Sequence, residues 1–256
     1  MSAPPSRPDR AWRVAVTRDE PADGPLTRAL EAAAFVAVPC AVLVAQPPPD
    51  PGGLARVAAG LDGYDWVVAT GPRAVAALTA ARGSRWPAGL RTAAVGLRTA
   101  EALTAHGAWP PPLAAANADA LWARLRDAER WPTRRVLVAT TTGGDHLVAD
   151  GLRDVGAAVE EVDAYRMAPR PLADIAADWQ RGDIDAAVVA GAATATTLIL
   201  AVGTGALARL AALLAVGPAT ADALRRAEVA CHLAADGDFA AAAESLAALR
   251  DARVGP

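Results

Sequence analysis

The chain has 256 residues, of which 53% are hydrophobic and 21% are charged, and its formal net charge is −3 at pH 7. These values are typical of a globular protein with a sizeable core, and they exclude a largely disordered chain. The slight acidic balance and the absence of Lys/Arg blocks argue against a nucleic-acid-binding surface.

Short β-branched runs that end in Gly, Pro or Thr alternate along the chain with longer amphipathic segments. In chain order, the predicted strands are residues 14–17, 66–69, 136–139 and 188–190. The predicted helices are residues 26–34, 118–128, 146–155 and 219–227. This alternation predicts an α/β fold of doubly wound parallel sheets with helices on both faces.

Ligands of doubly wound sheets bind beyond the carboxyl ends of the strands, where helix N-termini converge. The candidate turns therefore follow residues 17, 69, 95, 139, 190 and 216. The stretch DWVVATGPRAV, residues 65–75, shows the pattern: a buried strand, a Thr-Gly-Pro turn and the start of a helix. A small anion could bind at such a turn.

Three blocks of sequence recur in the same order at a nearly constant spacing, which indicates an internal duplication. Residues 13–39 resemble residues 135–162 at an offset of 122. YDWVVATGPRAVAAL from residue 64 resembles IDAAVVAGAATATTL from residue 184 at an offset of 120. AAVGLRTAEAL from residue 93 resembles LAVGPATADAL from residue 214 at an offset of 121.

Proline-rich stretches at residues 41–53 and 164–174 break the helical pattern and mark domain boundaries. The simplest layout is nested. A first, discontinuous domain comprises residues 1–40 and 171–256, and a second comprises residues 45–163. Linkers at residues 41–44 and 164–170 would join the two domains at one end and leave a cleft that could open and close.

Cys40 and Cys231 lie in apolar contexts without CxxC spacing, which predicts buried free thiols and a reducing compartment. Residues 1–10 contain no apolar segment typical of a secretion signal, so we expect a cytoplasmic protein. The uncharged stretch 186–208 is long enough to cross a bilayer. Its three glycines and four threonines instead indicate a strand, a turn and a helix inside a core, away from any membrane.

Taken in order, these blocks resemble the uroporphyrinogen-III synthase family over nearly the whole chain. The matching motifs are the opening VAVTR, the TxPRAV turn, two VGxxTAxAL blocks, and VDAYR before the second crossover. The resemblance implies two flavodoxin-like domains joined by a two-stranded linker. It also implies a cyclising hydro-lyase that closes hydroxymethylbilane, a linear tetrapyrrole with eight carboxylates, while inverting its last ring, ring D.

The implied reaction demands little chemistry from the protein. A pyrrole nitrogen expels the terminal hydroxyl, the substituted carbon of ring D attacks the resulting azafulvene, and the spiro intermediate fragments and recloses. Catalysis would come mostly from positioning, in agreement with a sequence that lacks a Ser/His/Asp set, paired carboxylates or a metal-ligand cluster. We expect no cofactor and no metal, and a monomer whose partner is the small-molecule substrate.

Eight of the seventeen predicted substrate-binding residues lie in the turn that resembles the family's TSPxAV motif and in the equivalent turn of the second repeat. In the first copy these are Thr70, Gly71, Pro72 and Arg73, and in the second Gly191, Ala192, Ala193 and Thr194. Amides and a hydroxyl at these helix N-termini would bind carboxylates, although plain turns and caps would have the same sequence. Gly71 replaces the usual serine, which removes a donor but allows closer approach of the backbone.

The two VGxxT blocks contribute Gly96 and Thr99 in one copy and Gly217 and Thr220 in the other. These threonines could face the substrate from the first helical turn or could merely cap their helices. We count all four residues as predicted substrate-binding residues.

Tyr165 matches the family's tyrosine before the second linker, and its neutral phenol could donate a hydrogen bond to the departing hydroxyl. The alternative is a linker tyrosine packed on a domain edge. Thr17 and Arg18 follow the first strand, and Arg18 could pair with a carboxylate or lie solvated in a loop. His106, His146 and His232 are scattered, and packing explains them better than ligation or base catalysis.

The sequence departs from the family after Val138, where Thr140 and Asp145 stand at arginine positions. The predicted polar loop contributes Thr140, Thr141 and Thr142 in place of counter-charges for the substrate. Two alternatives therefore stay open: a diverged paralogue that cyclises or dehydrates another small molecule, and a non-catalytic module that binds a tetrapyrrole or other ligand. A nucleotide-binding enzyme is disfavoured because no GxGxxG or Walker sequence follows a strand.

Overall fold

A computed structural model describes residues 10–108, 110–235 and 238–254. The chain divides into two compact units, which we call unit 1 (residues 1–44 and 168–256) and unit 2 (residues 45–167). Both ends of unit 1 extend beyond the described residues. The N-terminal segment on which the absence of a secretion signal was predicted lies outside them as well, apart from Arg10.

The strands and helices alternate along almost the entire described chain. The strands are β1 (Arg13–Val16), β2 (Val36–Pro39), β3 (Leu43–Gln46), β4 (Trp66–Ala69), β5 (Arg91–Val95), β6 (Leu113–Ala115), β7 (Arg135–Thr141), β8 (Ala158–Pro169), β9 (Ala186–Val189), β10 (Ala212–Ala215) and β11 (His232–Leu233). The helices are α1 (Pro25–Ala32), α2 (Pro51–Ala59), α3 (Pro72–Arg82), α4 (Leu97–Ala105), α5 (Ala118–Arg126), α6 (Leu147–Asp154), α7 (Leu172–Gly182), α8 (Ala192–Val202), α9 (Thr204–Ala208), α10 (Pro218–Arg226) and α11 (Phe239–Val254).

Among the described residues, the sheet of unit 1 has five strands in the order β2-β1-β9-β10-β11. All four neighbouring pairs are parallel. Numbered by position within the unit, this order is 2-1-3-4-5, the order of flavodoxin-like sheets. The mixed α/β architecture with parallel sheets confirms the predicted fold class.

The sheet in the described part of unit 2 has the order β3-β8-β7-β4-β5-β6, and the pairs from β8 to β6 are parallel. If β7 and β8 are numbered 1 and 2 and β4 to β6 are numbered 3 to 5, this sheet has the same order, 2-1-3-4-5, with β3 added beside β8. The duplication explains this permutation. The first repeat supplies β1 and β2 to unit 1 and β4 to β6 to unit 2. The second repeat supplies β7 and β8 to unit 2 and β9 to β11 to unit 1.

Each sheet is buried on both faces, which explains the near-continuous apolar runs of its central strands. In β4, Val67 and Ala69 face the core formed with α2, α3 and α4, whereas Trp66 and Val68 face the core formed with α5 and α6. In unit 1, Ala15 of β1 lies in a different core cluster from its neighbours Val14 and Val16.

Helix ends differ from the predictions by one or two residues where the backbone leaves the helical region. Helix α1 ends at Ala32 instead of residue 34, and Ala34 has a positive φ of 62°. Helix α5 ends at Arg126 instead of residue 128. The uncharged stretch 186–208 forms β9, α8 and α9, and in the part of the chain that the structure describes no helix could span a membrane.

Both cysteines are free thiols, but only Cys40 is fully buried. Burial and the nearby Asp178 raise the pKa of the Cys40 thiol to about 11, against the opposing effect of Arg170. Cys231 is half-buried, so the expectation of a fully buried thiol is wrong at this position. It follows the turn after α10 and packs against one core cluster of unit 1 only from the edge.

Candidate functional site

In unit 1, two buried threonines form hydrogen bonds across the carboxyl edge of the sheet. The Thr17 hydroxyl, with no exposed surface, donates a hydrogen bond of 2.8 Å to the Val188 carbonyl. The Thr220 hydroxyl accepts one of 2.9 Å from the Gly191 amide. These contacts stabilise the carboxyl edge of the sheet, so the Thr17 hydroxyl proton and the Gly191 amide already have partners inside the protein.

Thr99 and Thr220 occupy the first turns of α4 and α10, not their caps. The N-cap residues are Gly96 and Gly217, and neither helix has a side-chain cap hydrogen bond. Thr99 is 1% exposed and Thr220 is 3% exposed, so both side chains are buried. The Gly96 amide donates to the Ala115 carbonyl at 2.7 Å.

The N-terminus of α8 provides the unit 1 turn predicted to bind carboxylates. Gly191 adopts a φ of 109°, which favours glycine, and Thr194 is buried with 6% exposure. The amides of Ala192 and Ala193 open the helix and have no acceptor within its own hydrogen-bonding ladder. This helix start therefore has main-chain donors but no hydroxyl group on its surface turn.

Arg18 also lies in unit 1, in the loop after β1. Its Nε is 3.5 Å from the Glu20 carboxylate, and its guanidinium carbon lies 4.3 Å from the centre of the Phe239 ring. The side chain is 29% exposed. Glu20 was missed in the sequence analysis, although an acidic residue a few positions before a Pro-initiated helix is a recognisable capping signal.

In unit 2, Thr70 joins the ends of β4 and β7. Its amide donates to the Ala139 carbonyl at 3.1 Å, and its hydroxyl donates to the Thr140 hydroxyl at 2.9 Å. Thr140 is only 3% exposed and, with Thr141, is part of β7. The predicted polar loop therefore begins at Thr142, and the expectation that Thr140 belongs to it is wrong.

Tyr165 is brought to the same edge by a bulge in β8. Thr140 pairs with Asp163 whereas Thr141 pairs with Tyr165, which leaves Ala164 as the extra residue. Ala164 is buried in the core that α2, α3 and α4 cover, and Tyr165 packs partly against that same core. Since side chains normally alternate between sheet faces, the bulge decides which face Tyr165 contacts.

The tyrosine is held close to the start of α3. Thr142 donates its amide to the Tyr165 carbonyl at 2.8 Å. A Cβ added to Gly71 would lie 3.8 Å from the Tyr165 hydroxyl oxygen. A side-chain carbon at position 71 would therefore be in van der Waals contact with the phenol, which places the phenol directly beside the helix N-terminus. The corner formed by Thr70, Gly71, Thr140 and Tyr165 is the candidate active site of unit 2.

The first turn of α3 offers few main-chain donors. Pro72 has no N–H, and the amides of Ala74 and Val75 both bond to the Gly71 carbonyl. The Arg73 side chain is half-buried, with one guanidinium nitrogen 4.0 Å from the Met167 sulfur.

Unit 2 also contains a cavity of about 360 Å³ with acidic walls. Its lining includes four carboxylates, those of Asp50, Glu160, Glu161 and Asp163. Arg56, His146 and Thr140 also line it. Burial and the hydrogen bond to Glu160 raise the pKa of the Tyr64 phenol to about 12. Because these walls would repel an anionic ligand, the cavity is a poorer candidate than the corner at Tyr165 for the polycarboxylate that the sequence predicts.

His146 holds the loop after β7 against β8. Its Nδ1 is 2.7 Å from the Glu161 carboxylate, which also accepts from Arg153 at 2.6 Å. The hydrogen bond and charge of Glu161 raise the pKa of His146. Within residues 10–108, 110–235 and 238–254, no three His, Cys, Asp or Glu side chains are grouped so as to hold a metal ion.

The model of the family described as uroporphyrinogen-III synthase HemD matches residues 24–243. The chain belongs to the uroporphyrinogen-III synthase family. Its members are cyclising lyases of tetrapyrrole biosynthesis, which confirms the resemblance and the predicted enzyme class. No curated protein matches the chain by sequence.

Two solved structures share the fold of this synthase-family chain. One is a mutant uroporphyrinogen III synthase from Thermus thermophilus, with 23% identity, a TM-score of 0.55, and coverage of 94% of this chain and 100% of that one. The other is uroporphyrinogen-III synthetase from Helicobacter pylori, with 14% identity, a TM-score of 0.61, and coverage of 94% and 100%. At these identities the likeness concerns the fold alone.

Proposed function

We propose that this chain cyclises hydroxymethylbilane to uroporphyrinogen III with inversion of ring D, in a cleft between its two units. The observation that carries the proposal is the Tyr165 phenol beside Gly71 at the N-terminus of α3, in a member of this family. The enzyme would act as a cytoplasmic monomer on a free tetrapyrrole, without a nucleic-acid or membrane partner.

Tyr165 is the proposed proton donor. As the terminal C–O bond breaks, the phenol protonates the departing oxygen, water leaves, and the pyrrole nitrogen carries the positive charge of the azafulvene. Ring D attacks through its substituted carbon, and the spiro intermediate fragments. When the chain recloses at the free α-carbon, the phenolate takes the proton lost from that carbon, so the tyrosine is regenerated.

The remaining candidate residues would orient the substrate. In unit 2, the Thr142 amide, which donates to the Tyr165 carbonyl, would position Tyr165, and the Arg73 guanidinium would bind a side-chain carboxylate. In unit 1, the amides of Ala192 and Ala193 and the Arg18 guanidinium would do the same. Holding both ends of the linear substrate would favour attack by the substituted carbon over simple head-to-tail closure.

Isomer analysis tests this proposal. Hydroxymethylbilane generated enzymatically is incubated with the protein, and the products are oxidised and separated by chromatography. We expect the type III isomer in excess over the type I isomer that unassisted closure yields. Formation of type I alone, at the rate measured without protein, would contradict the proposal.

A diverged substrate is the second candidate, and one observation favours it. The buried hydroxyl of Thr140 stands where the family has an arginine, and it bonds to Thr70 instead of carrying a counter-charge. A substrate with fewer carboxylates would suit such a site. Tight binding of a tetrapyrrole without turnover would instead indicate a non-catalytic module.

A further inference from the structure

The N-terminus of α1 in unit 1 already binds an anion, the carboxylate of Glu20. One carboxylate oxygen accepts from the Thr27 amide at 2.7 Å and from the Thr27 hydroxyl at 2.8 Å. The other accepts from the Leu26 amide at 3.4 Å. With only 3% of its side chain exposed, Glu20 occupies the place that a substrate carboxylate would take at a helix start.

No main-chain donor of this helix start remains for a ligand. Pro25 has no N–H, Leu26 and Thr27 donate to Glu20, and the Arg28 amide donates to the Gly24 carbonyl at 2.9 Å. A Cβ on Gly24 would collide with the Glu20 carboxyl group, so the loop is closed around it. This helix start differs from that of α8, whose first amides have no such internal acceptor.

The same carboxylate contacts Arg18, which the sequence predicts to bind substrate. Glu20 Oε2 is 3.5 Å from the arginine Nε, and the guanidinium lies over the Phe239 ring. One contact restrains an edge of the guanidinium and the other restrains a face. Since α1 holds Glu20 in place, Glu20 connects Arg18 to the first turn of that helix.

We propose that Glu20 is a positioning residue that fixes the guanidinium of Arg18 for one carboxylate of the tetrapyrrole. This inference rests on the proposed function, because it takes the substrate to be a polycarboxylate. Glu20 itself does not touch the substrate. Its buried carboxylate occupies the helix start of α1 and thereby keeps a substrate carboxylate from binding there. The substrate carboxylate binds instead to Arg18, which Glu20 orients.

A double-mutant cycle tests the inference. Arg18→Ala should raise KM about tenfold, the order expected for one charge-assisted carboxylate pair, and should leave kcat within about twofold. Glu20→Ala should raise KM by a similar factor. The double variant should be no worse than Arg18→Ala alone, because Glu20 acts through the arginine. Effects that multiply in the double variant would overturn the inference.

Two variants separate positioning from folding. Glu20→Gln keeps an acceptor for the Thr27 amide and removes the charge, so it should fold normally and still raise KM several-fold. Arg28→Ala removes an exposed arginine from the same helix and should leave KM unchanged. A purely structural role for Glu20 would lower the thermal midpoint and the active fraction, with KM unaltered.

The same cycle can be measured without turnover, as the Kd of uroporphyrin, an octacarboxylate, by quenching of its fluorescence. If the wild type binds uroporphyrin with the expected coupling but makes no type III isomer, the proposed function fails and the positioning role stands. If it makes the type III isomer while the Glu20 and Arg18 variants keep wild-type KM and Kd, the positioning role fails alone.

Discussion

Tyr165 shows how much of this site depends on one residue's surroundings. Its phenol lies next to Gly71, whereas the other tyrosine of the chain, Tyr64, donates its hydroxyl proton to Glu160 at 2.5 Å. A phenol that already donates to a carboxylate is a poor proton donor to a leaving group, and the pKa of Tyr64 is raised accordingly. The two tyrosines of unit 2 are thus a functional candidate and its natural control.

Replacing Tyr165 with Phe should lower kcat about 100-fold, the usual contribution of a general acid, while KM changes little. The ring would keep its packing against the core, so the thermal midpoint should stay within about 1 °C of the wild-type value. Tyr64→Phe, measured in parallel, should leave kcat unchanged. An unchanged kcat in Tyr165→Phe would remove this residue from the mechanism.

At the scale of elements, the carboxyl edge of the unit 1 sheet is connected by threonines. Thr17 links the ends of β1 and β9, and Thr220 links the first turn of α10 to the loop after β9. These contacts give the two threonines a structural role that is independent of any substrate. From the sequence alone, a Thr after a strand or in the first turn of a helix could equally well donate a hydrogen bond to a ligand.

Thr220→Val should destabilise the protein because it removes the buried hydroxyl that accepts the hydrogen bond of the Gly191 amide. The expected loss is about 0.5–1.5 kcal/mol in the free energy of unfolding, the usual contribution of one hydrogen bond, measured by urea denaturation. Thr196→Val is the matched control on α8, since its exposed hydroxyl only bonds back to the Ala192 carbonyl. A loss in Thr220→Val no larger than in this control would contradict the structural role.

The contact between His146 and Glu161 predicts a pH-dependent contribution to stability. Because this contact raises the folded-state pKa of His146 above its unfolded value, the stabilisation is fully present below pH 6.5. It is lost as the pH rises through the raised pKa. The loop after β7 is therefore held more firmly under slightly acidic conditions.

The test is the thermal midpoint of the wild type and of His146→Gln across this range. We expect the wild type to be the more stable protein at pH 5.5 and the two midpoints to converge at pH 8.5. His106→Gln serves as the control, because that exposed histidine caps α4 without a carboxylate partner in the described structure. A difference in thermal midpoint between wild type and His146→Gln that does not vary with pH would argue against a stabilising ion pair between His146 and Glu161.

At the scale of the whole molecule, the duplication and the division into units follow different boundaries. Each repeat is continuous in sequence, yet each unit takes two strands from one repeat and three from the other, apart from β3. Unit 2 is nevertheless one continuous segment. Unit 1 needs chain from both sides of it.

Residues 45–167, expressed alone, should fold into a stable domain. Both cores of this segment are built from its own residues, and it contains the strands from β4 to β7 complete. We expect a cooperative urea transition and a helical circular dichroism spectrum, but no type III isomer from hydroxymethylbilane. A non-cooperative transition would show that unit 2 depends on the rest of the chain.

By itself, the sequence was enough to establish the family, the fold class and the turns that could form a site. These features are local or periodic: apolar runs of strand length, glycines and prolines after them, and blocks that recur about 120 residues apart. Such signals depend on burial and backbone geometry within a few residues, so a linear pattern carries them.

Only the tertiary structure decided what each candidate side chain contacts. It gave Thr17 and Thr220 internal partners, placed Thr140 inside a strand, turned Tyr165 toward Gly71 through the bulge at Ala164, and filled the start of α1 with Glu20. Each of these outcomes depends on atoms far apart in sequence. Hydrogen bonds and packing between distant segments select among side-chain roles that the local sequence leaves equally open.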